Sequence, residues 1–155
     1  MAKNNVFLKN IVSFIINNSC SITVNSTFTK NLILKSARKK DECKIEIIPM
    51  GIDLNRFYPI DNKSLEQKYK KEKLLIFVGR LIDWKGVKYL VKAMKTIVES
   101  LPQTQLLIIG SGPEKSNLEK LILELKLKDN INLLGEIKNT EVKNYYSVAD
   151  IFVIP

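Results

Sequence analysis

The residues best suited to chemistry in this chain lie in one eight-residue segment, Gly79–Gly86, with the sequence GRLIDWKG. Arg80 can hold a diphosphate through two parallel hydrogen bonds, and Lys85 can add a second positive charge. Gly79 lets the backbone approach a ligand closely. Gly86 opens a predicted helix whose N-terminal amides would favour an anion. By itself, the segment is equally compatible with two ordinary surface cations in a loop.

Two further glycine-containing turns follow apolar runs. Gly110-Ser111-Gly112-Pro113 is similar to a glycine-rich phosphate loop, but the pattern GxGxxG is incomplete because Lys115 occupies its last position. In the turn Gly135-Glu136-Ile137, the backbone could line a pocket for a nucleobase. A plain tight turn remains the alternative for both segments.

The composition excludes several kinds of site. The chain has no histidine, so no Ser-His-Asp or Cys-His catalytic group can form within it, and we expect no metal site. The net charge of +9 favours anionic partners such as nucleotides, acidic membrane surfaces or nucleic acid. A basic nucleic-acid-binding module over residues 30–44 is one alternative. However, few aromatic residues lie near those lysines to stack on bases, so we expect no nucleic-acid partner.

The elements that must position these residues are visible as continuous apolar runs, which are typical of strands covered on both faces. The runs lie at 74–78, 106–109, 131–134 and 151–154. Amphipathic helical patterns separate them at 87–98, at 118–125 and, after a possible cap at Thr140, up to residue 148. Strand–helix–strand alternation predicts a parallel sheet with ligands at the carboxyl ends of its strands. The segment 79–86 follows the first and central strand.

The N-terminal third is less regular. We predict one helix whose apolar face includes Phe7 and Ile15, and a second over 27–36, capped by Ser26, with Leu32 and Ile33 inward. Strands are predicted over 21–24 and 45–48, followed by a turn over 49–53 and a Lys-rich linker or exposed helix over 63–73.

An ordered set of motifs resembles the group 1 (family 4) glycosyltransferases of GT-B fold, over about residues 20–155. These motifs are Ile48-Pro49-Met50-Gly51-Ile52-Asp53, Phe77-Val78-Gly79-Arg80-Leu81 with Lys85-Gly86, Ile109-Gly110-Ser111-Gly112-Pro113, Leu134-Gly135, and Ala149-Asp150 with Phe152-Val153-Ile154-Pro155.

The resemblance implies an α/β fold with a partial, doubly wound, Rossmann-like and mostly parallel sheet that is incomplete at both ends. Residues 1–50 would be the tail of the acceptor-side domain, 51–72 the interdomain crossing or linker, and 73–155 an incomplete nucleotide-sugar-binding domain. The four later strands would be ordered third, second, first, fourth, which leaves the strand at 151–155 on an exposed edge. The family's motif of two glutamates would lie just beyond Pro155, so we expect a truncated or split member.

The implied activity is that of an enzyme. It would transfer a hexose-type sugar from a UDP- or GDP-linked donor to a glycan or lipid acceptor, with retention of configuration and no other cofactor. Arg80 and Lys85 match the family's catalytic pair, which neutralises the departing nucleoside diphosphate. The donor-binding residues implied by the resemblance are Gly79, Arg80, Lys85, Gly110, Gly112, Glu136 and Ile137.

The remaining expectations concern partners and location. We expect the 155 residues alone to lack turnover. A partner chain that completes the fold is an alternative, which would make the chain a non-catalytic or nucleotide-binding subunit. A cytoplasmic location is expected, with peripheral contact at the inner face of the membrane as a further alternative.

Overall fold

The computed structural model describes residues 6–35, 44–69 and 72–155. The chain divides into two compact units, Met1–Asp53 and Leu54–Pro155. The finer division into residues 1–50, a crossing over 51–72 and a domain over 73–155 stays a prediction. Most of the basic segment on which the nucleic-acid alternative depends, residues 36–43, lies outside the described residues.

The first unit contains two helices and a pair of parallel strands. Its elements are α1 (Val6–Asn18), β1 (Ile22–Val24), α2 (Thr27–Leu34) and β2 (Ile45–Ile47). Ile22 lies opposite Ile45 in the parallel register of β1 and β2. Among the residues of this unit that the structure describes, the buried hydrophobic side chains are Ile16, Val24 and Ile45.

The predicted cap of α2 is confirmed, but part of its predicted packing is wrong. The hydroxyl oxygen of Ser26 accepts a hydrogen bond from the backbone amide of Thr29 at 3.2 Å. Leu32, predicted to point inward, is 47% exposed, while Ile33 is half-buried. This two-turn helix buries no residue, because the pair of three-residue strands in this unit offers little surface to cover.

The second unit is built on a four-stranded, wholly parallel sheet. Its strands are β3 (Lys73–Val78), β4 (Thr104–Ile109), β5 (Ile131–Gly135) and β6 (Ile151–Phe152), in the order β5-β4-β3-β6. This confirms the predicted order of third, second, first and fourth strand. Its helices are α3 (Lys63–Tyr69), α4 (Val87–Ser100), α5 (Lys115–Glu124) and α6 (Val142–Val148), with a 3₁₀ turn at Asp83–Lys85.

Helices cover both faces of the four-stranded sheet, which confirms the predicted doubly wound α/β fold. On one face, Phe77 of β3 and Ile108 of β4 belong to a core cluster with Met94 of α4. On the other face, Ile76 belongs to a second cluster that includes Tyr69 of α3. Alternate β3 residues therefore enter opposite cores, and this is why its sequence is apolar throughout.

Two local predictions are settled in this unit. The Lys-rich stretch after residue 62 forms α3, so the helix alternative holds over 63–69. The predicted side-chain cap at Thr140 is wrong, because Glu141 occupies the N-cap position and makes no side-chain cap bond. Backbone hydrogen bonds from Glu141 and Val142 to the carbonyl of Lys138 form the entry turn of α6 instead.

β6 lies at the edge of the sheet and pairs with β3. The carboxylate of Asp150 accepts a hydrogen bond from the amide of Leu74 at 2.8 Å, and the amide of Asp150 donates to the carbonyl of Leu74 at the same distance. Ile151 and Phe152 are 50% and 46% exposed, so the predicted exposed edge is confirmed.

Candidate functional site

A cleft of about 240 Å³ opens at the carboxyl ends of β3, β4 and β5, the edge at which parallel sheets bind ligands. We call it the strand-end cleft. It is lined by Val78, Gly79, Arg80, Ile109, Gly110, Ser111, Glu136, Ile137, Asn139 and Val142. Five residues of the predicted donor-binding set therefore meet here, and two, Lys85 and Gly112, are not among the lining residues. The functional role of each member stays a prediction.

Backbone hydrogen bonds hold the floor of the strand-end cleft. The amide of Gly79 donates to the carbonyl of Ile109 at 3.0 Å, and the amide of Gly110 donates to the carbonyl of Gly135 at 2.7 Å. The three loops thus leave the sheet in fixed positions relative to one another. A preorganised floor lowers the ordering cost of binding.

The two glycines of the Gly110–Pro113 turn are required by the packing of adjacent loops. A Cβ at Gly110 would lie 1.9 Å from the carbonyl oxygen of Gly79, and one at Gly112 would lie 2.3 Å from that of Leu81. Their φ angles of +139° and +155° are also rarely adopted by other residues. Gly112 does not line the cleft, and the close approach of the Leu81 carbonyl is enough to explain why a glycine occurs there.

Arg80 is the one cationic side chain among the residues that line the strand-end cleft. It is exposed, and it forms no side-chain hydrogen bond or ion pair with any residue in the described ranges. All its guanidinium donors are therefore available to an anion. A planar guanidinium in such a cleft suits a phosphate better than a neutral polar group.

Lys85 lies at the end of the 3₁₀ turn, and its side chain occupies a different place. Its ammonium nitrogen lies 4.7 Å from the centre of the Trp84 ring, within the range of a cation–π interaction. Arg80 and Lys85 were predicted to lie together, but Arg80 lines the cleft and Lys85 does not. The predicted start of the next helix is confirmed, since α4 begins at Val87, directly after Gly86.

The same turn contains an ion pair that the sequence did not reveal. The ammonium of Lys88, in the first turn of α4, donates a hydrogen bond to the carboxylate of Asp83. This hydrogen bond, aided by the negative charge of Asp83, raises the pKa of Lys88 above its usual value. The ammonium of Lys88 is therefore charged at neutral pH.

A carboxylate lies in the strand-end cleft together with Arg80. The hydroxyl of Ser111 and the carboxylate of Glu136 are joined by a hydrogen bond of 3.3 Å. Ile137, the next residue, is half-buried and packs against the core formed by β3, β4, α3 and α6. The cleft thus offers a cation at its β3 loop, and a hydrogen-bond acceptor beside an apolar side chain at its β5 loop.

Five residues that line the strand-end cleft were not in the predicted donor-binding set: Val78, Ile109, Ser111, Asn139 and Val142. Val78 and Ile109 are the residues directly before the predicted Gly79 and Gly110. Ser111 was inside a segment already singled out for its glycines, so its hydroxyl was the available signal. Asn139 lies two residues after the predicted Ile137. Val142 gave no sequence signal beyond its place near the start of a predicted helix.

The family model described as "Glycosyl transferases group 1" matches residues 60–155. The chain is 35% identical to the alpha-monoglucosyldiacylglycerol synthase of Acholeplasma laidlawii, in an alignment covering 97% of this chain and 37% of that protein. It is 32% identical to a GDP-mannose-dependent monoacylated alpha-(1-6)-phosphatidylinositol monomannoside mannosyltransferase of Corynebacterium glutamicum, over 71% of this chain and 30% of that protein.

A solved structure shows the same arrangement of elements. Sucrose-phosphate synthase from Thermosynechococcus elongatus superposes with a TM-score of 0.83 and 27% sequence identity, covering 100% of this chain and 40% of that one. The chain therefore spans well under half the length of the relatives and of the structure that it matches.

Proposed function

The chain belongs to the group 1 glycosyltransferases, and we propose that its strand-end cleft binds the nucleoside diphosphate of a nucleotide-sugar donor. One observation carries the proposal: Arg80 is the cation of a cleft at the carboxyl ends of three parallel strands, and it has no partner within the described ranges. A diphosphate supplies the oxygens that such a guanidinium can hold in pairs.

The proposed mechanism assigns different tasks to the groups around the diphosphate. Arg80 binds the phosphate oxygens in the cleft, and Lys85 approaches from the neighbouring turn after leaving the Trp84 ring. As the bond to the sugar breaks, negative charge accumulates on the departing phosphate. Cations already in place stabilise that charge more strongly in the transition state than in the ground state. The β5 loop, with Glu136 and Ile137, would lie along the nucleoside.

For the whole protein we propose transfer of a hexose, with retention, from a UDP- or GDP-linked donor to a lipid or glycan acceptor. The activities for which two relatives are named support sugar transfer to a lipid. One is an alpha-monoglucosyldiacylglycerol synthase, and the other is a GDP-mannose-dependent phosphatidylinositol monomannoside mannosyltransferase. Because the chain spans 37% and 30% of their lengths, its own proposed contribution is donor binding, without turnover by these 155 residues alone.

A lipid acceptor would bring the protein to a membrane surface. We propose a cytoplasmic protein in peripheral contact with the inner face of the membrane, supported by the net charge of +9 and by the lipid named for each relative. Within the described ranges, no helix has the length and apolar character needed to cross a bilayer.

Titration calorimetry with UDP and GDP tests the proposed donor site. Replacing Arg80→Ala should weaken the better-bound nucleotide about 10- to 100-fold, since hydrogen bonds to charged groups contribute roughly 1.5–3 kcal/mol. Lys85→Ala should weaken it too, by a smaller factor. Arg56→Ala is the matched control, because it also removes a guanidinium. The guanidinium of Arg56 lies over the Phe57 ring, and Arg56 does not line the cleft. Equal affinities for wild type, Arg80→Ala and Arg56→Ala would remove the proposed site.

A further inference from the structure

Two lysines, Lys85 and Lys88, follow Asp83 closely in the sequence, and the structure pairs the carboxylate of Asp83 with Lys88. Asp83 begins the 3₁₀ turn that ends at Lys85, so these two side chains leave the same short turn two residues apart. Lys88 follows in the first turn of α4, and it is Lys88 that holds the carboxylate of Asp83. Asp83 is therefore paired with Lys88 and not with Lys85.

Lys85 contacts an aromatic ring, whereas Lys88 contacts a carboxylate, and this difference affects how each lysine can bind an anion. Its ammonium lies over the Trp84 ring, and the structure gives it no carboxylate partner in the described part of the chain. A π face orients an ammonium without cancelling its charge, whereas a carboxylate would cancel it. Lys85 is thus held near its turn as a full positive charge.

We propose that Lys88 is a positioning residue for nucleoside diphosphate binding, because it occupies Asp83 and so keeps Lys85 available to the phosphate. This inference rests on the proposed function of the strand-end cleft. Lys88 need not touch the nucleotide, since it acts through the carboxylate. The exposure of Asp83, whose side chain is 72% accessible, leaves that carboxylate free to turn toward Lys85 once Lys88 is removed.

Replacing Lys88 should therefore weaken nucleotide binding more than replacing another exposed lysine of α4 does. In Lys88→Gln, Asp83 can pair with Lys85, and such an exposed pair should lower affinity roughly two- to fivefold. Lys92→Gln is the matched control, because it removes an exposed lysine of the same helix that forms no ion pair with any described residue. Lys88→Arg should retain the affinity of the wild type, since Arg can also pair with Asp83.

A double-mutant cycle with Asp83→Asn separates this mechanism from a general effect of charge. Asp83→Asn should raise affinity for GDP or UDP in the Lys88→Gln background, back toward the wild-type value. The same change should have a smaller effect when Lys88 is present, because the carboxylate is then already occupied. The coupling should fade as salt is raised well above physiological ionic strength.

The outcomes distinguish the two proposals. Wild type that binds neither nucleotide contradicts the proposed function itself. Wild type that binds, with Lys88→Gln equal to Lys92→Gln, contradicts only the positioning role. Equal effects of Asp83→Asn in both backgrounds would also overturn it, because Lys88 would then act as a simple charge. Circular dichroism of each variant checks that α4 remains folded.

Discussion

At the scale of single residues, the strand-end cleft shows that one residue pattern can have two physical origins. The glycines at 110 and 112 predict a phosphate loop, yet each lies against a carbonyl of the neighbouring loop, at Gly79 or Leu81. The glycine pattern indicated that a side chain would not fit at these two positions. It did not indicate that a neighbouring backbone carbonyl, and not a phosphate, occupies the space. The position of the Lys85 ammonium could not be predicted from the sequence either. A long flexible side chain can contact Trp84 or a ligand, and the sequence pattern is the same in both cases.

Substitution of Gly110→Ala tests the role assigned to this glycine. The new Cβ would meet the carbonyl oxygen of Gly79 at 1.9 Å, and the φ of +139° would be strained. We expect a loss of at least about 1–3 kcal/mol in the free energy of unfolding from the strained backbone, with the clash adding to it. Urea denaturation measures this loss. Gly51→Ala is the control, because its Cβ would meet nothing within 4 Å.

At the scale of helices and strands, the sequence predicted most where burial is strongest. Continuous apolar runs identified all four strands of the second unit, and the runs of β3 and β4 are explained by cores on both faces of the sheet. Predictions failed where burial is weak. Leu32 of α2 is exposed in a small unit, and the entry of α6 uses backbone hydrogen bonds in place of the hydroxyl of Thr140. Such choices depend on tertiary packing that local patterns do not encode.

Two leucines of α5 allow the packing of this helix to be tested with one type of substitution. Leu118 is 1% exposed and belongs to the core against β3, β4 and α4, whereas Leu123 is 60% exposed. Leu118→Ala should lower the free energy of unfolding by about 2–5 kcal/mol, because it removes buried methyl groups and leaves a cavity. Leu123→Ala should change it by less than about 0.5 kcal/mol. Similar losses for both variants in urea denaturation would contradict the described core.

At the scale of the whole molecule, family and fold were accessible from the sequence because several modest motifs occur in a fixed order. The match over residues 60–155 and the TM-score of 0.83 agree with that reading. Net charge was less informative. The excess of 25 basic over 16 acidic residues is spread over the chain, and a second groove of about 300 Å³ between α4 and α5 contains three lysines. Charge alone therefore cannot say where an anion binds.

Nuclear magnetic resonance of the ¹⁵N-labelled chain, titrated with UDP and with GDP, locates the bound nucleotide residue by residue. Binding in the strand-end cleft should give the largest chemical-shift changes at the backbone amides of Gly79, Arg80, Gly110 and Ser111, with further changes at the Glu136–Ile137 turn. Changes centred on the α4–α5 groove, around Lys92 and Lys120 and reproduced by inorganic phosphate, would contradict it.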